Sequence, residues 1–175
     1  MESIFSLAAV TGNEPKIDEK YVHKAEKENV VISNIRRVDD SGNDVFECNL
    51  VFDHTLPFFF EHYIDHVPGL LLIEAARQMK TAVSHIYYGI GFDHSFILCS
   101  NAAVFKDFVE LDSPVTLRLV MDESGPGTDK TSRKIFHCKV FAIQDNIIKG
   151  EFESRWRCVH KRVMNKMRSK RMSLV

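Results

Sequence analysis

The sequence predicts an α+β domain in which a long central helix is wrapped by a curved antiparallel sheet of about six strands. Three observations support this prediction. A long helical pattern follows Pro68-Gly69 and is apolar on most of its circumference, which is typical of an enclosed helix. Runs of alternating apolar and polar residues precede and follow it. Short segments rich in Asp, Asn, Ser and Gly separate these runs, as expected of turns.

The first two strands are predicted at residues 30–38 and 44–53. In the second run Phe46, Cys48 and Leu50 alternate with polar residues, which is the period of a half-buried strand. The residues between the two runs are Asp, Asp, Ser, Gly and Asn, a composition that favours a hairpin turn. We therefore expect two antiparallel neighbours.

The central helix is predicted from about Pro68 to about Tyr88. Proline is favoured in the first turn of a helix, and Gly89 and Gly91 supply the residues that commonly end one. The preceding residues 58–65 are predicted to form an aromatic loop.

About four strands are predicted after the helix, at residues 96–105, 114–121, 133–143 and 147–159. In the last of them Phe152, Ser154, Trp156 and Cys158 share one face, and charged residues occupy the other. Such a sheet leaves an exposed edge. We expect that edge to pair with a second copy, which predicts a homodimer.

The predicted organisation is an N-terminal extension at 1–29, a single domain at 30–159 and a basic C-terminal tail at 160–175. The tail contains six basic residues and no acid, whereas the whole chain carries a net charge of -1, so the remainder carries -7. We expect such a tail to be solvated or disordered, with an acidic partner or anionic lipid as alternatives. No nucleic-acid-binding motif is present, so nucleic acid is not an expected partner.

Cysteine usage and the absence of targeting segments favour a cytoplasmic protein. The four cysteines form no CxxC pair, and Cys138 and Cys158 fall in strand patterns that predict buried free thiols. The first ten residues lack the basic start and long apolar core of a secretory signal. No apolar run approaches the roughly 20 residues that cross a bilayer, so no membrane span is predicted.

Glu74 is the leading candidate for chemistry because it lies among leucine, isoleucine and alanine in the helix. Burying a carboxylate there is costly unless it is paired or used. We predict a general base, or an acid if the apolar surroundings raise its pKa toward neutrality. Arg77 and Gln78 share its helix face. Arg77 could orient Glu74, bind a ligand phosphate or carboxylate, or form a purely structural ion pair.

The segment before the helix supplies the other candidates. His62 or His66 could polarise a carbonyl or shuttle a proton, although either could instead pack within the loop. The free amides that follow Pro68-Gly69 could stabilise a thioester oxygen. Phe58, Phe59 and Phe60 could contact an acyl chain, and Gln78 could contact the substrate beside Glu74. No metal site is predicted, because a segment before a proline does not present His62 and His66 as a helical pair and no cysteine cluster accompanies them.

These segments resemble the A-factor biosynthesis hotdog family. Residues 65–69 are Asp-His-Val-Pro-Gly, four apolar residues follow, and residues 74–78 are Glu-Ala-Ala-Arg-Gln, a form typical of that family. Glu61-His62 resembles its acid-histidine pair, and residues 100–119 resemble the strand-loop-strand of hotdog dehydratases. Familiar members carry two hotdog units in one chain, and a homodimer of this chain would rebuild that body.

The resemblance implies a hotdog fold and an acyl-thioester enzyme. The family implies transfer of a β-ketoacyl group from acyl carrier protein to a hydroxyl acceptor, such as dihydroxyacetone phosphate, in butyrolactone-signal or secondary-metabolite biosynthesis. Glu74 and Arg77 match family positions implicated in activity, and His62 lies nearest the dehydratase histidine. An acyl-phosphopantetheine thioester, on carrier protein or coenzyme A, would be the substrate, and no cofactor is expected. A dehydratase, a thioesterase and a non-catalytic acyl- or lactone-binding protein are the alternatives.

Overall fold

Seven strands and two α-helices make up the described part of the chain. The computed structural model describes residues 14–40, 43–53, 56–122, 127–128 and 134–172. Two 3-10 helices come first, at Glu19–Val22 and Lys27–Asn29. The later elements are β1 Ile32–Asp40, β2 Asn43–Leu50, α1 Gly69–Ile86, β3 His94–Phe105, β4 Thr116–Met121, β5 Gly127–Thr128, β6 Lys134–Gln144, β7 Ile147–His160 and α2 Lys161–Met172. Parts of the predicted extension (1–13), hairpin turn (41–42), second-last strand (133) and tail (173–175) lie outside the described residues.

The strands form one antiparallel sheet with the order β1-β2-β4-β6-β7-β3, and the short β5 pairs with β6. The hairpin predicted between the first two strands is present, with Val38 opposite Val45. The predicted α+β class, with a central helix and an antiparallel sheet of about six strands, is confirmed. Since β3 ends this order, one of its sides has no neighbouring strand among the described residues.

The core lies between α1 and one face of the sheet. Leu71, Leu72 and Met79 of α1 are at most 2% exposed, and so are Phe136 and Phe152 of the sheet. In β7, buried residues alternate with exposed or half-buried ones, as the sequence predicts. The helix ends at Ile86, two residues before the predicted end, and Gly89 follows in the left-handed region with φ 63°.

The residues before β1 pack against α1. Arg77 Nη2 donates to the carbonyl oxygen of Val22 at 3.0 Å. The buried amide of Gln78 donates to Asn29 O at 2.8 Å and accepts from the backbone N–H of Val31 at 2.9 Å. This N-terminal segment therefore covers the face of α1 that carries the candidate site residues.

Most of the predicted basic tail forms helix α2, so the expectation of a disordered end is wrong for residues 161–172. The alternative of a solvated end agrees with the exposure of most side chains at residues 161–169. The helix continues directly from β7. The imidazole Nδ1 of His160 accepts from the backbone N–H of Arg162 at 3.1 Å, and the backbone N–H of Lys161 donates to Asp93 O at 2.8 Å. These bonds satisfy helix-start amides, and Lys, Arg and Met are good helix formers.

Cys138 and Cys158 are buried free thiols, as predicted. Burial raises the pKa of each thiol to about 12. Among the described residues, no helix has both the length and the apolar character needed to span a membrane.

Candidate functional site

The start of α1 presents two backbone amides without acceptors. Pro68 precedes the helix and offers no side-chain cap, while its carbonyl accepts from Leu71 and Leu72. The N–H groups of Gly69 and Leu70 donate to no described residue. Unpaired helix-start amides, at the positive end of the helix dipole, favour an anion or a polarised carbonyl oxygen.

The surroundings of these amides are largely apolar. A Cβ atom added to Gly69 would lie 2.9 Å from Cζ of Phe105, so this ring of β3 lies directly over the helix start. Leu70, Phe105 and Phe108 are all more than half exposed. The helix start therefore combines polar amides with an open apolar surface, which suits a carbonyl attached to a hydrocarbon chain.

His66 lies immediately before the helix start and is held by Asp65. The imidazole Nδ1 donates to Asp65 Oδ1 at 2.8 Å, and this hydrogen bond lowers the pKa of Asp65. The ring of His66 also packs edge-on against Phe108 at 5.1 Å between centroids. A carboxylate on one ring nitrogen fixes the tautomer and leaves Nε2 as the acceptor. The pair therefore has the arrangement of a general base with its orienting acid.

His62 and the phenylalanines upstream occupy different surroundings. His62 is exposed and has no hydrogen bond or ring contact with a described residue. Phe58 is 77% exposed, whereas Phe59 and Phe60 are partly buried against the core. Phe60 stacks on Phe52 with the centroids 5.7 Å apart. Of the three phenylalanines, only Phe58 leaves most of its side chain free for a ligand.

Glu74, Arg77 and Gln78 come together as predicted, and a fourth residue joins them. Arg77 donates to both carboxylate oxygens of Glu74, from Nε at 2.7 Å and from Nη2 at 2.8 Å. Gln78 Nε2 donates to Oε1 at 2.9 Å. The ammonium of Lys24, in the N-terminal segment, lies 2.8 Å from the same Oε1. We call Lys24, Glu74, Arg77 and Gln78 the Glu74 cluster.

The Glu74 cluster holds the carboxylate firmly ionised. Burial opposes ionisation, but hydrogen bonds from Arg77, Lys24 and Gln78 outweigh it and lower the pKa of Glu74 to about 2. The expectation of an acid with a raised pKa is therefore wrong. The physical reason is the hydrogen bond from Arg77, to which Lys24 adds a second cation from a distant part of the chain. A carboxylate with so low a pKa is a weak base near neutral pH.

Two cations around one carboxylate give the cluster a net positive charge. Arg77 retains unused donors on its guanidinium, and the Lys24 ammonium has donors beyond its bond to Glu74. Their side chains are 38% and 27% exposed, so both can be reached from solvent. Such a pair suits an anionic group of a ligand, since planar Arg donors match phosphate and carboxylate oxygens.

The helix start and the Glu74 cluster lie along one side of α1. Leu70 and Glu74 are four residues apart and so share a face, with Arg77 and Gln78 one turn further. Glu74 lies about 7.5 Å along the axis from Gly69, given a rise of about 1.5 Å per residue. A short ligand could therefore contact the amides and the cations at once.

Sequence reasoning missed Lys24 and Lys80. Lys24 is one of several charged residues in its segment, and nothing in the local pattern distinguishes it. Lys80 is only 6% exposed, and its ammonium donates to Ser154 Oγ at 2.7 Å and lies 5.7 Å from the centroid of the Trp156 ring. Burial lowers its pKa. The available signal was a charged residue, Lys80, between apolar residues of the helix at Met79 and Ala82–Val83.

Comparisons with known proteins agree with the fold and the motifs. The family model described as the A-factor biosynthesis hotdog domain matches residues 6–160. A 2-oxo-3-(phosphooxy)propyl 3-oxoalkanoate synthase from Streptomyces virginiae is 30% identical over 89 residues. That match covers 51% of this chain and only 27% of the synthase.

Solved structures also resemble this chain. A dehydratase heterocomplex from Xenorhabdus doucetiae matches with a TM-score of 0.60 at 12% identity, over 85% of this chain and 95% of that one. A thioesterase from Haemophilus influenzae matches with a TM-score of 0.51 at 11% identity, over 73% of this chain and 79% of that one. At these identities the likeness shows the hotdog fold alone, which confirms the predicted architecture.

Proposed function

This chain belongs to the A-factor biosynthesis hotdog family, and from that premise we propose that it is an acyl-thioester enzyme. The proposed reaction transfers a β-ketoacyl group from a phosphopantetheine thioester to the hydroxyl of a phosphorylated acceptor. The product would be an ester intermediate for a butyrolactone-type signal or another secondary metabolite. The name of the Streptomyces virginiae synthase describes such an ester, with a phosphooxy group on one side and a 3-oxoalkanoate on the other.

One observation carries the proposal. Two amides at the start of α1, at Gly69 and Leu70, donate to no described residue, follow the Asp65–His66 pair closely in the chain and lie on the same side of the helix as the Glu74 cluster. The amides suit a thioester oxygen, the imidazole suits a hydroxyl proton, and the two cations suit a phosphate. Each group supplies one requirement of acyl transfer to a phosphorylated alcohol.

The acyl group would lie at the helix start. Its thioester oxygen would accept from the N–H groups of Gly69 and Leu70, which polarises the carbonyl carbon. The hydrocarbon chain would contact the exposed rings of Phe105 and Phe108, with Phe58 as a further contact. Apolar contact at these rings would also exclude water from the thioester, which favours transfer over hydrolysis.

The chemical step follows from these positions. The acceptor hydroxyl attacks the thioester carbonyl carbon while Nε2 of His66 takes its proton, and the carbonyl electrons move onto the oxygen held by the amides. The tetrahedral intermediate then collapses, the carbon–sulfur bond breaks, and the proton on His66 passes to the departing thiolate. Asp65 holds the ring and stabilises the imidazolium between the two steps.

In this proposal Glu74 is a positioning residue. Its low pKa makes it a poor proton acceptor, but its two oxygens hold the side chains of Lys24 and Arg77 in place. The remaining donors of these cations would bind the acceptor phosphate. Glu74 lies about 7.5 Å along the helix from the amide of Gly69. This distance suits a short acceptor with its hydroxyl and its phosphate at opposite ends.

We also propose that two copies pair through β3. Within the described part of the chain, this strand has a neighbour on one side only, β7, and its residues Leu98, Val104 and Phe105 are 59%, 54% and 51% exposed. An open apolar edge of this kind invites strand pairing. Sedimentation of the double variant Leu98→Lys/Val104→Lys should show a monomer where the unaltered chain gives a dimer. Two dimeric proteins would exclude pairing at this edge.

The assay for the function uses the unaltered chain with a 3-oxoacyl thioester of acyl carrier protein and dihydroxyacetone phosphate. Mass spectrometry of the products distinguishes the candidate reactions, because transfer gives a phosphorylated ester and hydrolysis gives the free acid. A 3-hydroxyacyl thioester, tested in parallel, gives an enoyl product if the chain is a dehydratase. Transfer with little hydrolysis is the expected result.

Two histidine variants test the assignment of the base. His66→Gln should lower kcat at least about 100-fold, since loss of a positioned base typically costs that much. His62→Gln is the matched control, because His62 is exposed and has no described contact, and it should retain nearly full activity. Loss of activity in His62→Gln with full activity in His66→Gln would reverse the assignment. Hydrolysis alone, or no turnover by the unaltered chain, would refute acyl transfer.

A further inference from the structure

Helix α2 is a strongly basic surface that the described fold does not neutralise. It contains six Lys and Arg residues and no acid over Lys161–Met172. Arg162, Lys166 and Arg168 are exposed, and none forms an ion pair with a described residue. The family match ends at residue 160, so α2 lies beyond the matched residues.

The charge pattern of α2 opposes the helix that it forms. Arg162 and Lys166 are four residues apart, so their like charges lie side by side on one face. Lys161 and Arg162 occupy the first turn, where the helix dipole disfavours cations. Twelve residues are also marginal for a helix with little tertiary packing. An acidic surface bound to α2 would offset both the repulsion between its like charges and the unfavourable interaction of its first-turn cations with the helix dipole.

The beginning of α2 lies close to the candidate site. Lys161 donates from Nζ to Phe92 O at 3.1 Å, and the ring of Phe92 packs against Tyr21 at 5.6 Å between centroids. Tyr21 belongs to the N-terminal segment that also supplies Lys24 to the Glu74 cluster. The basic helix and the cluster therefore adjoin the same segment.

His23 reports the electrostatic surroundings at this junction. Burial lowers the pKa of His23, and His85, Arg77 and Lys161 lower it further by their proximity. Arg77 belongs to the Glu74 cluster and Lys161 to α2, so cations of both reach the same imidazole. The electrostatic effects of the cluster and of α2 therefore overlap at His23.

We propose that α2 is the docking surface for an acidic carrier protein, which presents the acyl group on its phosphopantetheine arm. This inference rests on the proposed function and specifies a carrier protein over coenzyme A as the donor. Charge complementarity supports it. Carrier contacts at α2 would leave the flexible arm free to reach the start of α1.

Two other anionic partners fit α2 less well. The apolar residues of α2 are Val163, Met164, Met167 and Met172, which do not make the broad apolar face of a membrane-surface helix. The remainder of the chain carries a net charge of -7, which repels an extended polyanion such as a nucleic acid. A small acidic protein can contact α2 alone and avoid that repulsion.

The test compares two charge-reversed proteins. Lys166→Glu/Arg168→Glu alters exposed residues of α2, and Lys134→Glu/Arg155→Glu makes the same change of charge at exposed positions elsewhere. Each protein is titrated with an acidic 3-oxoacyl carrier protein, and each is assayed with that thioester and with the same acyl group on N-acetylcysteamine. Thermal unfolding checks that all proteins remain folded.

We expect the α2 variant to raise Kd and KM for the carrier thioester about tenfold or more, as loss of complementary charges does. Added salt should weaken carrier binding by the unaltered chain. The value of kcat/KM for the N-acetylcysteamine thioester should stay the same, and the control protein should behave like the unaltered chain throughout.

The outcomes separate this inference from the proposed function. Equal carrier affinity in the α2 variant and the control overturns the docking surface, even if acyl transfer is observed. If the unaltered chain binds RNA or anionic vesicles but no carrier protein, and only the α2 variant loses that binding, then RNA or the membrane replaces the carrier protein as the partner of α2. Carrier binding that the α2 variant loses, together with no transfer from either thioester, supports the docking surface and refutes the proposed function.

Discussion

The ion pairs of Glu74 should make the fold less stable as the pH falls, and Glu74→Gln should remove this part of the pH dependence. Glu74→Gln keeps the shape of the side chain and mimics its protonated form. In the folded chain the pKa of Glu74 falls from 4.5 to about 2 because of Arg77, Lys24 and Gln78, despite opposition from burial. At about 1.4 kcal/mol for each pH unit, this difference corresponds to about 3 kcal/mol of folding free energy.

The sign follows from the lowered pKa. The unfolded chain binds the proton more tightly, so the contribution of Glu74 is complete above about pH 4.5 and is lost as the pH falls toward 2. The unaltered chain should therefore exceed Glu74→Gln by about 3 kcal/mol at pH 7 and by about 1.4 kcal/mol at pH 3. The side chain of Glu74 is only 19% exposed, so solvent screens it weakly.

Urea unfolding at a fixed protein concentration, repeated between pH 7 and pH 3, measures this difference. Glu61→Gln is the matched control, because Glu61 is exposed and has no described partner, and its cost should be small at every pH. A Glu74→Gln cost that is the same at pH 7 and pH 3 would refute the ion-pair reasoning. So would a cost at pH 7 no larger than that of the control.

Two further predictions concern Lys80 and Gly69 of α1. Lys80→Met should raise the free energy of unfolding by about 1 kcal/mol, since it removes a buried cation that has no acid partner among the described residues. Chemical denaturation should show this gain shrinking as the pH rises toward 10.5, because burial lowers the pKa of Lys80 in the folded chain. A loss of stability in Lys80→Met would contradict the prediction. Gly69→Ala should change stability by about 1 kcal/mol or less, because the Phe105 ring it meets is half exposed and can move. It should lower kcat/KM for the thioester about tenfold, because the new methyl group displaces the ring and disturbs the thioester position. Unchanged kinetics would place the thioester away from the start of α1.

The fold could be predicted because its signals are local. Alternation in the strands and the apolar helix after Pro68-Gly69 fixed the type and order of the elements. The order of strands in the sheet depends on tertiary pairing, and no local pattern encodes it. Helix α2 was not predicted because composition describes solvation, whereas the start of this helix depends on hydrogen bonds to the backbone of Asp93 and the side chain of His160.

The candidate site could be predicted only in part, for a related reason. The spacing of Glu74, Arg77 and Gln78 places them on one helix face whatever the rest of the chain does. The pKa of Glu74 also depends on Lys24, which lies fifty residues upstream and meets it only in the folded chain. The same limit applies to His66 and His62, because their difference in contacts arises from Phe108 and from the loop conformation.

The N-terminal segment has a consequence for how this unit can be inherited. Lys24 and the carbonyl groups of Val22 and Asn29 bind the side chains of the Glu74 cluster, so the cluster is assembled from two separate stretches of chain. A gene duplication that copied only residues from β1 onward would produce a second copy of α1 and its sheet, in which the carboxylate of Glu74 lacks the ammonium of Lys24. Tandem copies that keep both reaction centres must therefore carry this leading stretch with each repeat.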